Sequence, residues 1–329
     1  MQQRHVIRLF GPGEALEARD EALPDPGPHQ LLIAVSACGV CRTDLHVCDG
    51  DIPARYPIIP GHEIVGRVVA TGAAVTEFRP GDRVGVPWLG GTCGHCAFCR
   101  DGRENLCDAP VFTGCTIDGG YASHSLADAR YCLAIPPGID DVAAAPLLCA
   151  GLIGWRALRL AGEGHRIGLY GFGAAAHIIA QVAIAQGREV YGFTRPGDGR
   201  GQEFARSLGC RWAGGSDEAP PVPLDAALIF APVGALVPRA LKAVTKGGRV
   251  VCAGIHMTDI PAFPYADLWG ERSILSVANL TRDDGRTFFT AIEGMPVKSV
   301  THVFPLAEAG IAMSAVREGM VDGAVVLVP

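Results

Sequence analysis

Four cysteines in one short polar segment limit the possible folds of this chain more than any other feature of its sequence. They follow one another at intervals of three, three and eight residues in CGHCAFCRDGRENLC, as Cys93, Cys96, Cys99 and Cys107. Four thiolates so spaced can surround one ion tetrahedrally in a loop with almost no apolar core, as in a closed structural zinc site. The spacing therefore predicts structural zinc. A chance cluster of reduced thiols and an iron–sulfur site, which also uses short CxxC spacings, are the alternatives.

A second group of metal-binding residue types is spread along the chain. The segment CGVCRTDLH carries Cys38 and Cys41, the tripeptide GHE carries His62, and Cys149 follows much later. Catalytic zinc sites use three protein ligands and leave the fourth position open, so Cys41, His62 and Cys149 are candidates for one such site. Spacing leaves other interpretations open: the CxxC pair as a redox dithiol or half of another structural site, and His62 as an ordinary buried histidine.

An acidic residue near Cys41 supports this second group. Metal-bound histidine usually donates its other ring N–H to a carboxylate, which fixes its tautomer and orientation. Asp44 is the candidate for that role. The alternative is an ordinary acid in the first turn of a helix capped by Thr43, and the two roles are compatible.

Size and charge narrow the possible partners. The chain has 329 residues, 49% of them apolar, and exceeds the ~250 to 300 residues at which single cores stop growing, so two domains are expected. A formal net charge of −6 gives no footprint for nucleic acid. The opening MQQRHVIRLFGPG lacks the apolar run of a signal peptide, and no stretch reaches ~18 apolar residues. We therefore expect a cytoplasmic protein without membrane partners. Among its twelve cysteines, we expect those that cluster to bind metal rather than form disulfides.

The predicted pattern of secondary structure changes near residue 150. Up to that point short apolar runs rich in β-branched residues alternate with turn residues, as in HVIRLF, LLIAVSA and GRVVA, which predicts a strongly curved β-rich domain. From 151 onward, strands alternate with helices, which predicts a doubly wound parallel sheet. The predicted fold class is therefore α/β, with one β-rich and one parallel-sheet domain.

A glycine turn opens the second region. In LYGFGAAAH a strand leads to Gly171, Phe172 and Gly173, and a helix is predicted from Ala174 to Gln186. Backbone N–H groups and the helix dipole at such a turn can bind a pyrophosphate. The third glycine of the dinucleotide fingerprint is replaced by Ala176, where close helix–strand packing is the requirement.

The end of the strand that follows this helix indicates whether the cofactor is NAD(H) or NADP(H). A domain specific for NAD usually places an acid there for the ribose 2′-hydroxyl, but this strand runs into Thr194 and Arg195. An arginine without that acid suits a 2′-phosphate, so the sequence favours NADP(H) over NAD(H). The alternative is that Arg195 covers the adenine or points to solvent.

Together these segments resemble the zinc-dependent alcohol dehydrogenases of the medium-chain dehydrogenase/reductase superfamily. The motifs that carry the resemblance occur in the same order and span essentially the whole chain: CGVCRTDLH, PGHEIVGRV, CGHCAFCRDGRENLC, PLLCAGLIGWRAL and LYGFGAAAH. The resemblance implies a GroES-like catalytic domain from 1–150 and 279–329, and a Rossmann cofactor domain from 151–278. It also implies two zinc ions per chain and assembly into a dimer or tetramer.

The resemblance assigns roles to individual residues. It makes Cys41, His62 and Cys149 the catalytic zinc ligands, and the four clustered cysteines the structural ones. Glu63 matches an acid that can approach the metal during ligand exchange, and Arg42 a basic residue near the pyrophosphate. Thr43 and His46 match a proton relay from the alcohol, through the cofactor ribose, to solvent.

The implied reaction transfers a hydride between a nicotinamide cofactor and a primary alcohol or aldehyde, with zinc as the Lewis acid. Trp88 matches a pocket position where a bulky ring favours unbranched primary substrates, and a core tryptophan is the alternative. Ile52 stands where relatives often carry an aromatic residue, which would leave room for longer or aryl substrates. Ala324 stands where many relatives have an arginine that reaches the pyrophosphate.

Two other functions compete with this one. A zinc-stabilised nucleotide-binding protein without catalysis would have no need for the relay residues Thr43 and His46. A zinc hydrolase using metal-bound hydroxide would leave the dinucleotide turn unexplained.

Overall fold

In a computed structural model that describes residues 2–329, the chain divides into two units. The first contains the residues up to Cys149 with Asn279–Thr290 and Ser299–Pro329, and the second contains Ala150–Ala278 and Ala291–Lys298. Sequence analysis placed all of 279–329 in the first domain, whereas residues 291–298 group with the second. A reason is visible at Lys298, whose backbone N–H donates to Gln181 Oε1 at 2.9 Å.

The first unit is built on β-structure. Numbered along the whole chain, its strands are β1 (Gln3–Arg8), β2 (Glu17–Ala22), β3 (Gln30–Val40), β4 (Glu63–Thr71), β5 (Arg83–Val86), β6 (Leu89–Gly91), β7 (Val111–Phe112), β8 (His124–Asp128), β9 (Leu133–Ala134), β16 (Thr301–Pro305) and β17 (Ala324–Val328). Its helices are α1 (Arg42–Asp49), α2 (Ala97–Arg100), α3 (Asp141–Ala144) and α10 (Ala309–Glu318), and α9 (Arg282–Ile292) begins in it.

A seven-stranded sheet forms the centre of this unit. Its order is β16-β17-β3-β4-β5-β9, and β8 also pairs with β3. The long strand β3 holds the sheet together because it pairs antiparallel with β17, β4 and β8. Its alternating apolar residues, among them Leu31, Ile33 and Val35, are buried in the core cluster of the unit.

An N-terminal ribbon of β1 and β2 was not predicted in full. β2 has the sequence EARDEA and is largely exposed, so it lacks the apolar alternation by which strands are recognised. Ion pairs take the place of that alternation: Arg8 on β1 binds Glu21 on β2 through Nε at 2.6 Å and Nη2 at 2.8 Å. A strand held by charge pairs leaves a weak signal in sequence.

The second unit is a doubly wound sheet. Its strands are β10 (Arg166–Tyr170), β11 (Glu189–Thr194), β12 (Trp212–Gly215), β13 (Leu224–Ile229), β14 (Val244–Cys252) and β15 (Ser273–Ser276). Its helices are α4 (Ala150–Ala161), α5 (Ala174–Ala185), α6 (Gly199–Ser207), α7 (Leu236–Ala243) and α8 (Tyr265–Leu268). All pairings are parallel in the order β12-β11-β10-β13-β14-β15, the strand order of a dinucleotide-binding fold. The predicted α/β fold class is confirmed.

Across residues 2–329, no single helix has the length and apolar composition needed to cross a bilayer, although the consecutive helical segments Asp141–Leu148 and Ala150–Ala161 pass that test as a bent pair.

Candidate functional site

Three chain segments bring the second group of ligands together. Cys41 directly follows β3 and is the N-cap of α1, His62 directly precedes β4, and Cys149 ends a 3₁₀ turn. The Sγ atoms of Cys41 and Cys149 lie 3.9 Å apart. With a carboxylate oxygen of Glu63, the candidate ligand atoms of these residues all lie within 4.8 Å of one another. Residues up to 108 positions apart in sequence thus converge on one point.

The imidazole of His62 is oriented as a metal ligand requires. Its Nδ1 lies 2.9 Å from Asp44 Oδ1, and both side chains are fully buried. Its Nε2 is buried and finds no hydrogen-bond partner among residues 2–329. An orphaned buried nitrogen is costly, whereas two thiols, one imidazole nitrogen and an acid nearby form a donor set that suits zinc. The residues present therefore fit that ion.

The pKa values of the candidate ligands are strongly shifted by their burial and by one another. The hydrogen bond from Cys149 is the main cause that holds the pKa of Cys41 well below its ordinary value, and the same bond raises the pKa of Cys149. Burial, with the charge at Cys41 next, raises the pKa of Glu63 well above its ordinary value. Burial alone would lower the pKa of His62, but Asp44 and Cys41 raise it well above its ordinary value.

Glu63 has its place because a glycine faces it. Gly39 on β3 pairs with Glu63 on β4, and a Cβ added to Gly39 would lie 1.7 Å from Glu63 Oε2. Any other residue at position 39 would therefore push the carboxylate away. This close approach was not foreseen from the sequence, where Gly39 is only the residue after Cys38.

The first turn of α1 differs in one respect from the prediction. Thr43 was considered as the helix cap, but the helix begins at Arg42 and Cys41 is the N-cap. Asp44 Oδ2 accepts the backbone N–H of Cys41 at 2.8 Å, so this one carboxylate restrains the Cys41 backbone and orients His62. The helix-terminal role and the histidine-orienting role of Asp44 therefore coexist.

The two proposed relay residues lie on the same helix. Thr43 is buried, and its Oγ1 lies 3.7 Å from Cys41 Sγ. His46 is half-buried, and its Nδ1 lies 2.7 Å from Oδ2 of the exposed Asp51. Asp51 was not predicted from the sequence, where its only signal is an acid five residues after the histidine, beyond the end of α1.

The clustered cysteines form a second candidate metal site. The Sγ atoms of Cys93, Cys96, Cys99 and Cys107 all lie within 4.8 Å of one another. Backbone N–H groups point at the sulfurs: Cys107 Sγ accepts from Cys93 N at 3.3 Å, and Cys93 Sγ accepts from Cys96 N at 3.3 Å. Backbone N–H groups of Asp108 and Cys99 lower the pKa of Cys96 to about 6. Such donors favour thiolates, which are the form that binds zinc.

The two predicted pocket residues differ in their surroundings. The Trp88 ring meets the His62 ring edge to face at 4.9 Å and stacks on Phe112 at 4.9 Å, which fixes it beside the candidate ligand. Phe112 was missed, because it lies 24 positions from Trp88 and belongs to the two-stranded sheet β6-β7. Ile52 is half-buried and packs against the apolar cluster of the first unit.

The glycine turn is tightly packed at its first glycine and open at its second. Gly171 has a φ of +88°, and a Cβ there would lie 2.7 Å from the backbone nitrogen of Ala231, so only glycine fits without strain. Gly173 is the N-cap of the twelve-residue helix α5, and a Cβ there would meet no described atom within 4 Å. The turn, with Phe172 and Ala174, therefore fits a dinucleotide pyrophosphate at the helix N-terminus.

The remaining predicted cofactor residues differ in exposure. Thr194, the last residue of β11, is buried, and its hydroxyl donates to the backbone oxygen of Arg195 at 3.2 Å. The Arg195 side chain is exposed. The nearby Asp198 accepts the backbone N–H of Gly201 at 2.9 Å and so caps α6. Arg42, in the first unit, is exposed at the start of α1.

Comparisons with known proteins point in the same direction. The Alcohol dehydrogenase GroES-like domain family matches residues 27–137. The chain is 48% identical to the "Probable alcohol dehydrogenase AdhA" of Mycobacterium tuberculosis, over 98% of this chain and 95% of that protein.

Two solved structures are also similar over 100% of both chains. One is a thermostable alcohol dehydrogenase from Pyrobaculum aerophilum with cobalt and zinc bound, at 28% identity and a TM-score of 0.90. The other is described as a "putative zinc-binding dehydrogenase" from Sinorhizobium meliloti 1021 bound to NADP, at 26% identity and a TM-score of 0.87.

Proposed function

This chain belongs to the zinc-dependent alcohol dehydrogenase family of the medium-chain dehydrogenase/reductase superfamily, and we propose that it interconverts primary alcohols and aldehydes at a zinc ion held by Cys41, His62 and Cys149. Family membership makes the chain an NAD(P)-linked zinc oxidoreductase that acts on small alcohols and aldehydes. The observation that carries the proposed ligand set is the convergence of two thiols, 3.9 Å apart, with the buried Nε2 of His62, which has no partner among residues 2–329.

The protein's own residues have to move a proton. When bound, zinc supplies a Lewis acid that makes an alcohol more acidic or polarises an aldehyde carbonyl, and the hydride belongs to the chemistry of a bound nicotinamide. We assign Thr43 as the hydroxyl that takes up the alcohol proton as it gives its own proton onward, and His46 as the group that returns a proton to solvent. Asp51, 2.7 Å from His46 Nδ1, holds the imidazole at the exit of this relay.

A second zinc ion is assigned to the four clustered cysteines. Four thiol sulfurs in one closed group leave no position for a substrate, which is typical of structural zinc. Their loop is tied to α9 by a half-buried ion pair in which Glu104 Oε2 lies 2.7 Å from Arg282 Nη2. Zinc and this ion pair together replace the apolar core that the loop lacks.

We assign NADP(H) as the preferred cofactor. Arg195 is exposed after β11, and Asp198 is engaged in capping α6. A cation at this position favours a 2′-phosphate over a 2′-hydroxyl. The expected result is that Arg195→Ala raises KM for NADPH several-fold and leaves KM for NADH nearly unchanged. An equal effect on both cofactors would remove Arg195 from the 2′-phosphate site.

The preference for primary substrates rests on Trp88. Its ring is held between His62 and Phe112, so it cannot turn away easily to admit a branched carbon. Trp88→Ala should therefore raise kcat/KM for secondary alcohols relative to primary ones. Unchanged selectivity would assign Trp88 to the core instead.

We further propose that the chain forms a homodimer through the second unit. Strand β15 stands at one edge of the six-stranded sheet, and an exposed sheet edge is a template for pairing with another chain. Beside it in sequence, the large aromatic side chains of Tyr265 and Trp269 are 69% and 67% exposed. Sedimentation should give a dimer that Trp269→Asp weakens. A monomeric wild-type protein would contradict this assignment.

Turnover and metal content test the central proposal. The purified chain should bind two zinc ions and oxidise NADPH or NADH only when an aldehyde is added. Cys41→Ser should abolish turnover with the fold retained, whereas Cys99→Ser should first lower stability. A protein with one zinc and no turnover on a panel of aldehydes would indicate a non-catalytic nucleotide-binding protein. Ester hydrolysis without cofactor would indicate a hydrolase.

A further inference from the structure

A buried tyrosine touches the carboxylate that orients the histidine of the metal site. Tyr121 is fully buried, and its hydroxyl donates to Asp44 Oδ2 at 3.2 Å. The same carboxylate accepts from Cys41 N through Oδ2 and lies 2.9 Å from His62 Nδ1 through Oδ1. Both carboxylate oxygens of Asp44 are therefore hydrogen-bonded. Oδ2 binds the tyrosine hydroxyl and the Cys41 backbone, and Oδ1 binds the imidazole.

The tyrosine itself is firmly placed. Its backbone N–H donates to Pro60 O at 2.9 Å, and its carbonyl accepts from Ile7 N at 2.8 Å. Its ring lies against Gly61, where an added Cβ would come within 2.3 Å of Tyr121 Cδ1. Gly61 immediately precedes His62. Tyr121 therefore contacts two things: the segment that carries the candidate ligand His62, and Asp44, the acid that orients His62.

We propose that Tyr121 is a positioning residue of the catalytic metal site, which fixes the rotation of the Asp44 carboxylate and thereby the direction of His62 Nε2. The planar carboxylate can turn about its last side-chain bond, which is a soft torsion. A turn that kept the bond to Cys41 N would swing the other oxygen off His62 Nδ1. The hydroxyl of Tyr121 opposes that turn because it is a second donor to Asp44 Oδ2. Outer partners of this kind set ligand orientation and so metal affinity.

The inference rests on the proposed zinc site, and the Tyr121→Phe variant tests it. The substitution removes one oxygen and keeps the ring that fills the space beside Gly61. Loss of a direct outer partner lowers metal affinity roughly 10- to 100-fold. Since Tyr121 acts one bond further out, zinc should leave Tyr121→Phe roughly 3- to 10-fold faster than wild type when a chromogenic chelator is in excess.

The matched control is Tyr191→Phe. Tyr191 is also buried, its hydroxyl donates to Glu189 at 2.9 Å, and it lies in the second unit. It should release zinc at the wild-type rate. Release from the four-cysteine site provides a second reference within each sample and should be the same in all variants.

Two further measurements separate positioning from a general loss of stability. With Co²⁺ in place of zinc, the visible absorption bands of the catalytic site should shift in Tyr121→Phe and stay unchanged in Tyr191→Phe. In an Asp44→Asn background, Tyr121→Phe should have little additional effect on zinc release, because the two residues act in series.

The possible outcomes distinguish this inference from the proposed function. Wild-type rates and spectra in Tyr121→Phe, or an effect that simply adds to that of Asp44→Asn, would overturn the positioning role and leave the ligand set intact. A wild-type protein that binds no metal through Cys41, His62 and Cys149 would overturn both.

Discussion

A buried histidine should make the second unit sensitive to acid. His177 is fully buried on α5, four residues after Gly173, and its Nδ1 lies 3.4 Å from Gly173 O. Burial lowers its pKa to about 4. The positive end of the helix dipole also disfavours an imidazolium at this position. The folded protein therefore holds His177 neutral where an exposed histidine would already be charged.

The sign and size of the effect follow from the two pKa values. In the unfolded chain histidine titrates near 6.5, so between pH 6.5 and 4 the unfolded state binds more protons than the folded state. The stabilisation is complete above pH 6.5 and is lost as the pH falls toward 4. A difference of about 2.5 pKa units, at ~1.4 kcal/mol each, gives about 3 kcal/mol in total, of which about 2 kcal/mol is lost by pH 5.

Urea unfolding of His177→Gln tests this account, because glutamine cannot take up the proton. The free energy of unfolding of the wild type should fall by about 2 kcal/mol more than that of the variant between pH 8 and pH 5. The baseline cost of the substitution cancels, because only the pH dependence is compared. His165→Gln, at an exposed position of the same unit, should keep the wild-type pH dependence. Parallel curves for His177→Gln and wild type would refute the reasoning.

Three other substitutions test the first unit. Glu104→Gln should lower the free energy of unfolding by about 2 kcal/mol in urea, because it leaves the charge of Arg282 without its partner. Gly39→Ala should reduce kcat by ~10-fold or more and lower the zinc content, because the new Cβ would displace the Glu63 carboxylate. Arg42→Ala should raise the cofactor KM by ~10-fold without changing the zinc content, since a charge-assisted phosphate contact is worth about 1.5 to 3 kcal/mol.

Two of these substitutions have a matched control. Asp101→Asn removes an exposed ion pair with Arg103 in the same loop as Glu104, and such pairs contribute about 0 to 1 kcal/mol. If Glu104→Gln lowered the free energy of unfolding by no more than Asp101→Asn, the half-buried pair would contribute no more to stability than an exposed one. Gly310→Ala adds a Cβ that comes within 4 Å of no atom of residues 2–329 outside its own helix backbone and chain neighbours, so it should leave activity unchanged. For Arg42, an unchanged cofactor KM would remove this residue from the phosphate site.

Sequence spacing carries information on residues that share one loop and little on residues that meet across the fold. The four cysteines between 93 and 107 can be recognised as a group because one loop carries them all. Cys41, His62 and Cys149 are joined only by the pairing of β3 with β4 and by the 3₁₀ turn that ends at Cys149. No periodicity in the sequence encodes that meeting, so only resemblance to a family could single out those three.

The missed residues have a common physical cause. Asp51, Phe112 and Tyr121 act through a side-chain contact with another element or beyond a helix end. Each would look ordinary in any sequence: an acid after a helix, an aromatic residue in a short strand, and a tyrosine after two glycines. Their contribution appears only when packing has set distances of a few ångströms. The same holds for Gly39, whose missing side chain makes room for Glu63.

The proton distribution at the metal site gives a reason why a divalent cation belongs there. Cys41, Cys149, Glu63 and Asp44 bring four acidic groups into one buried cluster, and His62 is the basic group among the candidate ligands. Full ionisation of such a cluster is costly without a compensating charge. The pKa values of Glu63 and Cys149 are raised, whereas that of Cys41 is lowered. Protons retained on Glu63 and Cys149 therefore reduce the negative charge of the cluster. Zinc carries two positive charges and binds thiolates, so Cys41 and Cys149 would both have to be deprotonated to hold it. Metal affinity should therefore rise with pH, because proton and metal compete for the same sulfur atoms.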